Sequence, residues 1–253
     1  MTRPWSGGGE SAVIEFEGVI GRRARKSKRV KALVLIIDSP GGSAATSEEL
    51  YLAVAKVAEV KPVVAYIRGM GASGALYISA AANKIVALRG AVVGSIGVIF
   101  TRLVAERLFE RVGVSFSVQQ TGANKDMFGP WRGPTPEEEQ KLEAMLGDIF
   151  DRFVEVVVQG RKMDVSKVRE LATGELYSAQ RAQALGLIDE LGDLDTALDM
   201  AASMAGIKRR VVYLRPRRPM FSLRGVLGRD MASGIADALL DEVEASTAGR
   251  LWM

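Results

Sequence analysis

The sequence contains no histidine and no cysteine. Without histidine a Ser-His-Asp triad, a Cys-His pair and any imidazole metal ligand are impossible. Without cysteine there is no thiol nucleophile, disulfide, zinc-thiolate site or iron–sulfur cluster. The missing cysteine fits either side of a membrane, so it does not report a redox compartment. No metal and no cofactor is expected, and any proton shuttle must be Lys, Asp, Glu or Tyr. Long apolar runs are also missing. The longest charge-free stretches, 69–83 and 112–124, fall short of the ~20 residues of a membrane-spanning helix. Residues 1–10 carry one Arg and three glycines, without the apolar centre of a signal peptide.

What is present is ordinary for a globular protein: 253 residues, 48% hydrophobic and 25% charged. A chain of this length buries about 70–75% of the surface it exposes when unfolded. Net charge is +4 and unevenly spread, with seven cations between Arg22 and Lys31 and six between Lys208 and Arg218. Such patches attract an anionic membrane face when they are more than a solvated surface. No stacking aromatics are interleaved with them, which argues against a nucleic-acid partner.

Hydrophobic patterning predicts strands at 12–16, 32–38, 62–67, 84–88, 114–119 and 211–214, and a loop or short strand over 90–97. The run ALVLIID at 32–38 has the continuous apolarity of a strand buried on both faces. Helices are predicted at 47–60, 75–82, 102–112, 165–172, 179–185 and 195–205. A longer one starts at Thr135-Pro136-Glu137-Glu138 and reaches Val158, with Thr as cap, Pro in the first turn and acids at the positive end of the macrodipole. Alternating strands and helices predict an α/β fold with a mostly parallel core sheet. Residues 1–11 read as a disordered segment and 12–214 as a single domain, sheet-rich to about 121 and helical from about 135. Residues 215–253 form a tail of unknown role.

Three short stretches are candidates for chemistry. In Gly71-Ala72-Ser73-Gly74-Ala75, Ser73 lies between a strand and a helix among small residues. It is either a nucleophile exposed on a tight turn, with helix N–H groups aimed at it, or a turn that packs two elements closely. Pro40-Gly41-Gly42 lies just past the carboxyl end of a buried strand, where open α/β sheets bind ligands. Its glycines suit an oxyanion hole, or simply a strand-to-helix turn. Without histidine a base for Ser73 falls to a lysine of lowered pKa. Lys125 is the only Lys in the glycine-rich loop between Gln120 and Pro136; its plain alternative is a surface lysine. Asp38 and Asp126 are weaker acid/base candidates, and a carboxylate beside Lys125 would favour the charged amine, the wrong direction for a base. Ser95 in Gly94-Ser95-Ile96-Gly97 sits on another turn and could orient a base.

Taken in order, VKALVLIIDSPGG, GMGASGALYISAAANKIVA, GSIGVI, TGANKDMFGPWRGPTPEE and ATGELYSAQRAQALGLIDELG resemble the signal peptide peptidase A family over roughly residues 12–200. That family consists of Ser-Lys endopeptidases with a Clp protease/crotonase-like fold. The resemblance implies Ser73 as nucleophile, Lys125 as general base and later acid, and Ser95 as the residue that orients Lys125. It implies an oxyanion hole from the N–H groups of Gly42, with Gly41, and of Gly74. It further implies a homo-oligomer whose neighbouring subunits share active sites, and substrates that are signal-peptide remnants and other short or unfolded peptides.

The sequence departs from the family in three ways. Ala75 stands where a second glycine is common, the leading helix is reduced to a basic stub, and this chain carries no membrane anchor. The expected location is therefore a membrane surface reached through the basic patches, or through an anchor outside this chain, with a soluble cytoplasmic form as the alternative. A crotonase-type acyl-CoA enzyme and a non-catalytic membrane-associated scaffold are the rival readings. Both are disfavoured by the coexistence of Ser73, Ser95 and Lys125.

Overall fold

The computed structural model describes residues 10–15 and 25–213. In chain order the elements are β1 (Glu10–Glu15), β2 (Val30–Ser39), α1 (Ala44–Ala58), β3 (Val63–Ala72), α2 (Gly74–Ser79), β4 (Lys84–Ala87), β5 (Val92–Gly94), α3 (Glu106–Arg111), α4 (Pro136–Arg161), α5 (Val165–Leu171), β6 (Leu176–Ser178), α6 (Ala179–Leu185), β7 (Glu190–Leu191), α7 (Leu194–Met204) and β8 (Val211–Tyr213). The tail 215–253 and parts of both basic patches lie outside the described residues.

The sheet runs β6-β5-β3-β2-β1-β8, with β4 beside β3 and β7 beside β4. Every pairing is parallel except β5 with β6. Its centre is β2 against β3, in register from Leu33 opposite Val63 to Ile37 opposite Ile67. The alternation of side chains explains the unbroken apolar run in β2. Leu33, Leu35, Val63, Ala65 and Ile67 face one core with α1, α2 and α4. Ala32, Val34, Val64 and Tyr66 face a second core closed by Ala197, Leu198 and Ala201 of α7. Each fully buried Val, Leu or Ile side chain contributes about 1.5–3 kcal/mol, so both faces of this pair are strongly committed.

β3 is longer than its apolar run because it serves two neighbours in succession. Val64–Ile67 pair with β4, and Met70–Ala72 pair with β5. The switch falls at Arg68-Gly69, opposite an irregularity between Ile37 and Ser39 in β2. Asp38 occupies that irregularity and accepts hydrogen bonds from Met70 N (3.0 Å) and Arg68 Nε (3.2 Å). A Cβ at Gly69 would fall 2.7 Å from Asp38 Oδ1. Asp38 is thus occupied with shaping the strand rather than with acid/base chemistry.

Two expectations are corrected. Residues 114–119 form no strand: Val114, Phe116 and Val118 are all exposed, and no strand lies beside them to take their backbone bonds. Phe116 packs instead edge-on to Phe109 (4.6 Å between centroids) and stacks on Trp131 (5.8 Å). The helix expected over 102–112 contracts to α3, which buries no residue. The short strands β6 and β7 carry too few residues to show a period and were not anticipated.

The longest helix, α4, begins where Thr135 predicts. Thr135 Oγ1 accepts from Glu138 N (3.2 Å) and Glu138 Oε2 accepts from Thr135 N (2.9 Å), a capping box. Near its other end Gly160 lies flush against the end of α2, where an added Cβ would stand 2.0 Å from the Ala80 carbonyl oxygen. Gly160→Ala gains helix propensity, about 1 kcal/mol, but forces two backbones apart, which costs about 1–3 kcal/mol. Its melting temperature is expected to fall by a few degrees in a thermal denaturation series; an unchanged or higher value would show that α4 slides freely over α2.

Candidate active site

Ser73 follows the last residue of β3 and precedes the first of α2, with φ 50° and ψ −121°. A residue with a Cβ in such a conformation carries about 1–3 kcal/mol of strain, so the surroundings must enforce it. On one side Ser73 N donates to Gly94 O (2.9 Å), continuing the β3–β5 ladder. On the other, Ser73 O accepts from Tyr77 N (3.0 Å) and starts the helix. A chain that ends a strand and begins a helix within one residue has little alternative. The side chain is half-buried and makes no hydrogen bond among the described residues. Its hydroxyl is free to react.

Backbone closes around this turn where side chains would not fit. A Cβ at Gly74 would meet Ser47 Oγ at 2.2 Å and Gly42 N at 3.4 Å. Ser47 is buried in α1 and cannot retreat, its hydroxyl bonded to Ser43 O at 2.9 Å. Gly41 has φ 108°, and a Cβ there would lie 2.8 Å from both Gly74 N and Ser73 Cβ. Its own N–H is held by Ser39 Oγ (3.1 Å). The Gly41-Gly42 backbone therefore lies directly on the Ser73-Gly74 peptide. Gly74 N–H is the first of α2 and has no carbonyl a turn earlier in the helix. A polarised carbonyl oxygen placed over this turn could be met by main-chain donors without any side chain intervening.

Ser95 is drawn into the same constellation. It has φ 53°, donates its N–H to Glu175 O (2.7 Å), and follows Gly94, where a Cβ would stand 2.5 Å from that oxygen. Among the described residues three non-glycines have positive φ: Ser73, Ser95 and Lys162. Lys162 merely caps α4, a routine place for that conformation. The other two are joined through the single bond from Ser73 N to Gly94 O.

Lys125 is different. It lies exposed in the loop before α4, with its N–H on Gly122 O (3.2 Å), and its amine makes no hydrogen bond or ion pair among the described residues. No hydrogen bond within the chain joins Ser73, Ser95 and Lys125 side chains. Asp126, next in sequence, is taken up by Arg132, whose Nε and Nη2 donate to its two oxygens at 2.9 Å each. The same guanidinium donates to Glu138 Oε2 at 2.8 Å and Oε1 at 2.5 Å. These hydrogen bonds hold the Asp126 and Glu138 carboxyls well down, each to about 2. Arg132 was not singled out from the sequence. The visible trace of it was an arginine just ahead of a capping box, but nothing local reveals that Glu138 is only 4% exposed.

Residues 55–208 match the model of Peptidase family S49. The slr0021 protein of Synechocystis sp. is 37% identical over 96% of this chain and 95% of its own length. The chloroplastic serine protease SPPA of Arabidopsis thaliana is 33% identical over 87% of this chain, which spans 32% of that longer protein. Among solved structures, a serine-to-alanine variant of the 1510-N membrane-bound stomatin-specific protease aligns over 83% of this chain and all of its own, with TM-score 0.52 at 15% identity. A lysine-to-alanine variant of it, in complex with a substrate peptide, aligns over 82% of this chain and 93% of its own, with TM-score 0.50 at 16% identity. At such identity the structural likeness concerns the fold alone, which is of the Clp protease/crotonase kind.

The strain at residue 73 is directly measurable. Ser73→Gly removes the Cβ from the positive-φ position, whereas Ser73→Ala keeps it; both remove the hydroxyl. Ser73→Gly is expected to melt above Ser73→Ala by a few degrees, corresponding to about 1 kcal/mol. The reverse order in calorimetry would show that the turn is not strained in the native protein.

Proposed function

Because the chain belongs to Peptidase family S49 and is a serine protease, we propose that it is an endopeptidase working through a Ser73–Lys125 dyad. The observation that carries this is the strained Ser73 turn with the Gly41-Gly42 and Gly74 backbones packed on it. Ser73 Oγ attacks the scissile carbonyl carbon as the neutral Lys125 amine takes its proton. The N–H groups of Gly42 and Gly74 receive the oxyanion, while Gly41, whose own N–H is held by Ser39 Oγ, lets the two backbones meet. The Lys125 ammonium then gives its proton to the leaving amine as the C–N bond breaks. Water, deprotonated by the same amine, opens the acyl-enzyme ester and returns Ser73. Within one copy no hydrogen bond joins the Ser95 and Lys125 side chains, so it is in the assembled site that Ser95 Oγ would accept from the Lys125 amine and hold it in line. Lys125 must be neutral for the first step, so the working site must exclude water and carboxylates from its amine.

A single copy leaves the base in solvent, and this favours an assembly in which neighbouring copies complete each other's sites. Segment 99–112, bonded to the Lys125 loop through Arg102 Nη1 and Met127 O, carries the apolar surface such an assembly needs: Ile99 is 91% exposed, Leu103 72% and Val112 62%. Burying it on association would both dry the site and fix the loop. Substrates are short or unfolded peptides, signal-peptide remnants among them. The solved relative with a bound substrate peptide supports a peptide as the occupant. Among the described residues no helix is long and apolar enough to cross a membrane. A membrane-surface location is consistent with the exposed cations Arg25, Lys26, Lys28 and Lys31, and with the name of the membrane-bound structural relative.

Intact-mass analysis after treatment with a serine-reactive fluorophosphonate tests the dyad. One adduct is expected on the native chain, and none on Ser73→Ala or Lys125→Ala. Lys125→Arg is also expected to be inert, because a guanidinium stays protonated. An adduct that persists in Ser73→Ala overturns the nucleophile, and one that persists at native rate in Lys125→Ala overturns the base. Light scattering of the same samples is expected to find labelling confined to the oligomeric fraction; a labelled monomer would overturn the shared site.

A further inference from the structure

The proposed reaction uses Lys125 and leaves Arg132 without a task, yet Arg132 is the most heavily engaged side chain near that loop. Its guanidinium bridges Asp126, Glu138 and Gly133 O (3.0 Å). The three side chains are 28%, 13% and 5% exposed for Arg132, Asp126 and Glu138. Glu138 also caps α4 through Thr135 N. One arginine therefore ties the loop carrying Lys125 to the first turn of the longest helix.

The chemistry of Asp126 gives this tie a second consequence. Asp126 is the carboxylate next in sequence to Lys125, and an amine that pairs with a carboxylate stays protonated. A forked guanidinium takes one lone pair on each Asp126 oxygen and offsets the carboxylate's charge, so Asp126 draws a nearby ammonium less strongly. We propose that Arg132 is a positioning residue for the base: it fixes the loop of Lys125 on α4 and withholds Asp126 from Lys125, so that the amine can be neutral when it is needed. This inference rests on Lys125 being the base.

The other charged groups packed against the loop are already committed. Arg102 Nη1 donates to Met127 O (3.1 Å), and Glu106 Oε2 accepts from Gly133 N (3.1 Å). Lys141 of α4 donates to Asn124 Oδ1 (3.1 Å) and is matched by Glu137 Oε1 (2.6 Å). Gln120 Nε2 donates to Ala123 O (3.4 Å). Asp126 is thus the carboxylate that loss of Arg132 would set free beside Lys125.

The test is the pH dependence of kcat/KM for a quenched-fluorescence peptide, on the full chain, for native protein, Arg132→Met, Asp126→Asn and the double variant. Arg132→Met is expected to move the acid limb up by about one pH unit, lowering the rate about tenfold below it with little change in KM. The double variant is expected to move the limb back, and Asp126→Asn alone to leave it in place. A purely structural role would lower kcat at every pH without moving the limb. A limb that stays put in Arg132→Met, or stays raised in the double variant, overturns the proposal. If Arg132→Met does not fold, Arg132→Lys serves, since an ammonium cannot fork across two carboxylates. Its limb is expected to rise and to be restored by Asp126→Asn, and an unmoved limb overturns the proposal there too. Lys125→Ala in the same series separates the two ideas. If it is active, the base assignment fails; if it is dead while the limb of Arg132→Met is native, only the role of Arg132 fails.

Discussion

The parallel pairing of β2 with β3 is the constraint on which the site depends. Both strands are buried on both faces, so their register cannot slip without moving every side chain into the wrong core. Their carboxyl ends then deliver two loops to one place. β2 ends in Ser39-Pro40-Gly41-Gly42, and β3 ends in Ala72-Ser73-Gly74. The Gly41 backbone touches the Ser73-Gly74 peptide closely enough that a single methyl group would not fit. Neither loop could hold this position alone.

A rigid frame also accounts for the backbone strain. Ser73 is held between a ladder bond to Gly94 and the first helical bond to Tyr77, while α1 blocks any outward relaxation through Ser47 against Gly74. The split of β3 between β4 and β5 makes this possible, because only its final residues reach β5. Asp38 organises the split by bonding the main chain at Met70. Residues distant from the Ser73 hydroxyl thus set its direction through backbone geometry, and glycine recurs where two backbones meet without a side chain between them.

The loop bearing Lys125 belongs to a different physical regime. It has no strand pairing and buries little, and α3 beside it buries nothing. What ties it down is polar: the Arg132 bridge and the capping box of α4. Both carboxyls in that bridge titrate low, to about 2, so its charge pattern forms as pH rises through that value and is intact well below neutrality. Its contribution to stability is present above the ordinary carboxyl range and is lost as pH falls through about 2. Ser73 is held by the core, whereas Lys125 is carried on a charged, exposed segment held by polar contacts.

The α/β class, the mostly parallel core and the start of α4 were legible in the sequence, as were the turns that carry Ser73, Gly41, Gly42, Gly74 and Ser95; the roles of these residues and of Lys125 are proposals. Continuous apolar runs, a cap followed by proline, and small-residue turns are local signals with local causes. The expected strand at 114–119 shows where local signals fail: its alternation is real, but a strand needs a neighbour's backbone, and no strand among the described residues pairs with it. Arg132 was missed for the same reason, since an arginine acquires meaning only when folding brings carboxylates to it from two places. The sequence by itself determined which elements form and which residue types could react, because propensity and hydrophobic period act over a few residues. Only the tertiary structure decided that Ser73 is strained, that Gly41 lies on it, and that Asp126 is turned toward Arg132. The first two are distances between segments far apart in the chain, set by close packing of the core, whereas the third spans six residues and is set by the path of that loop.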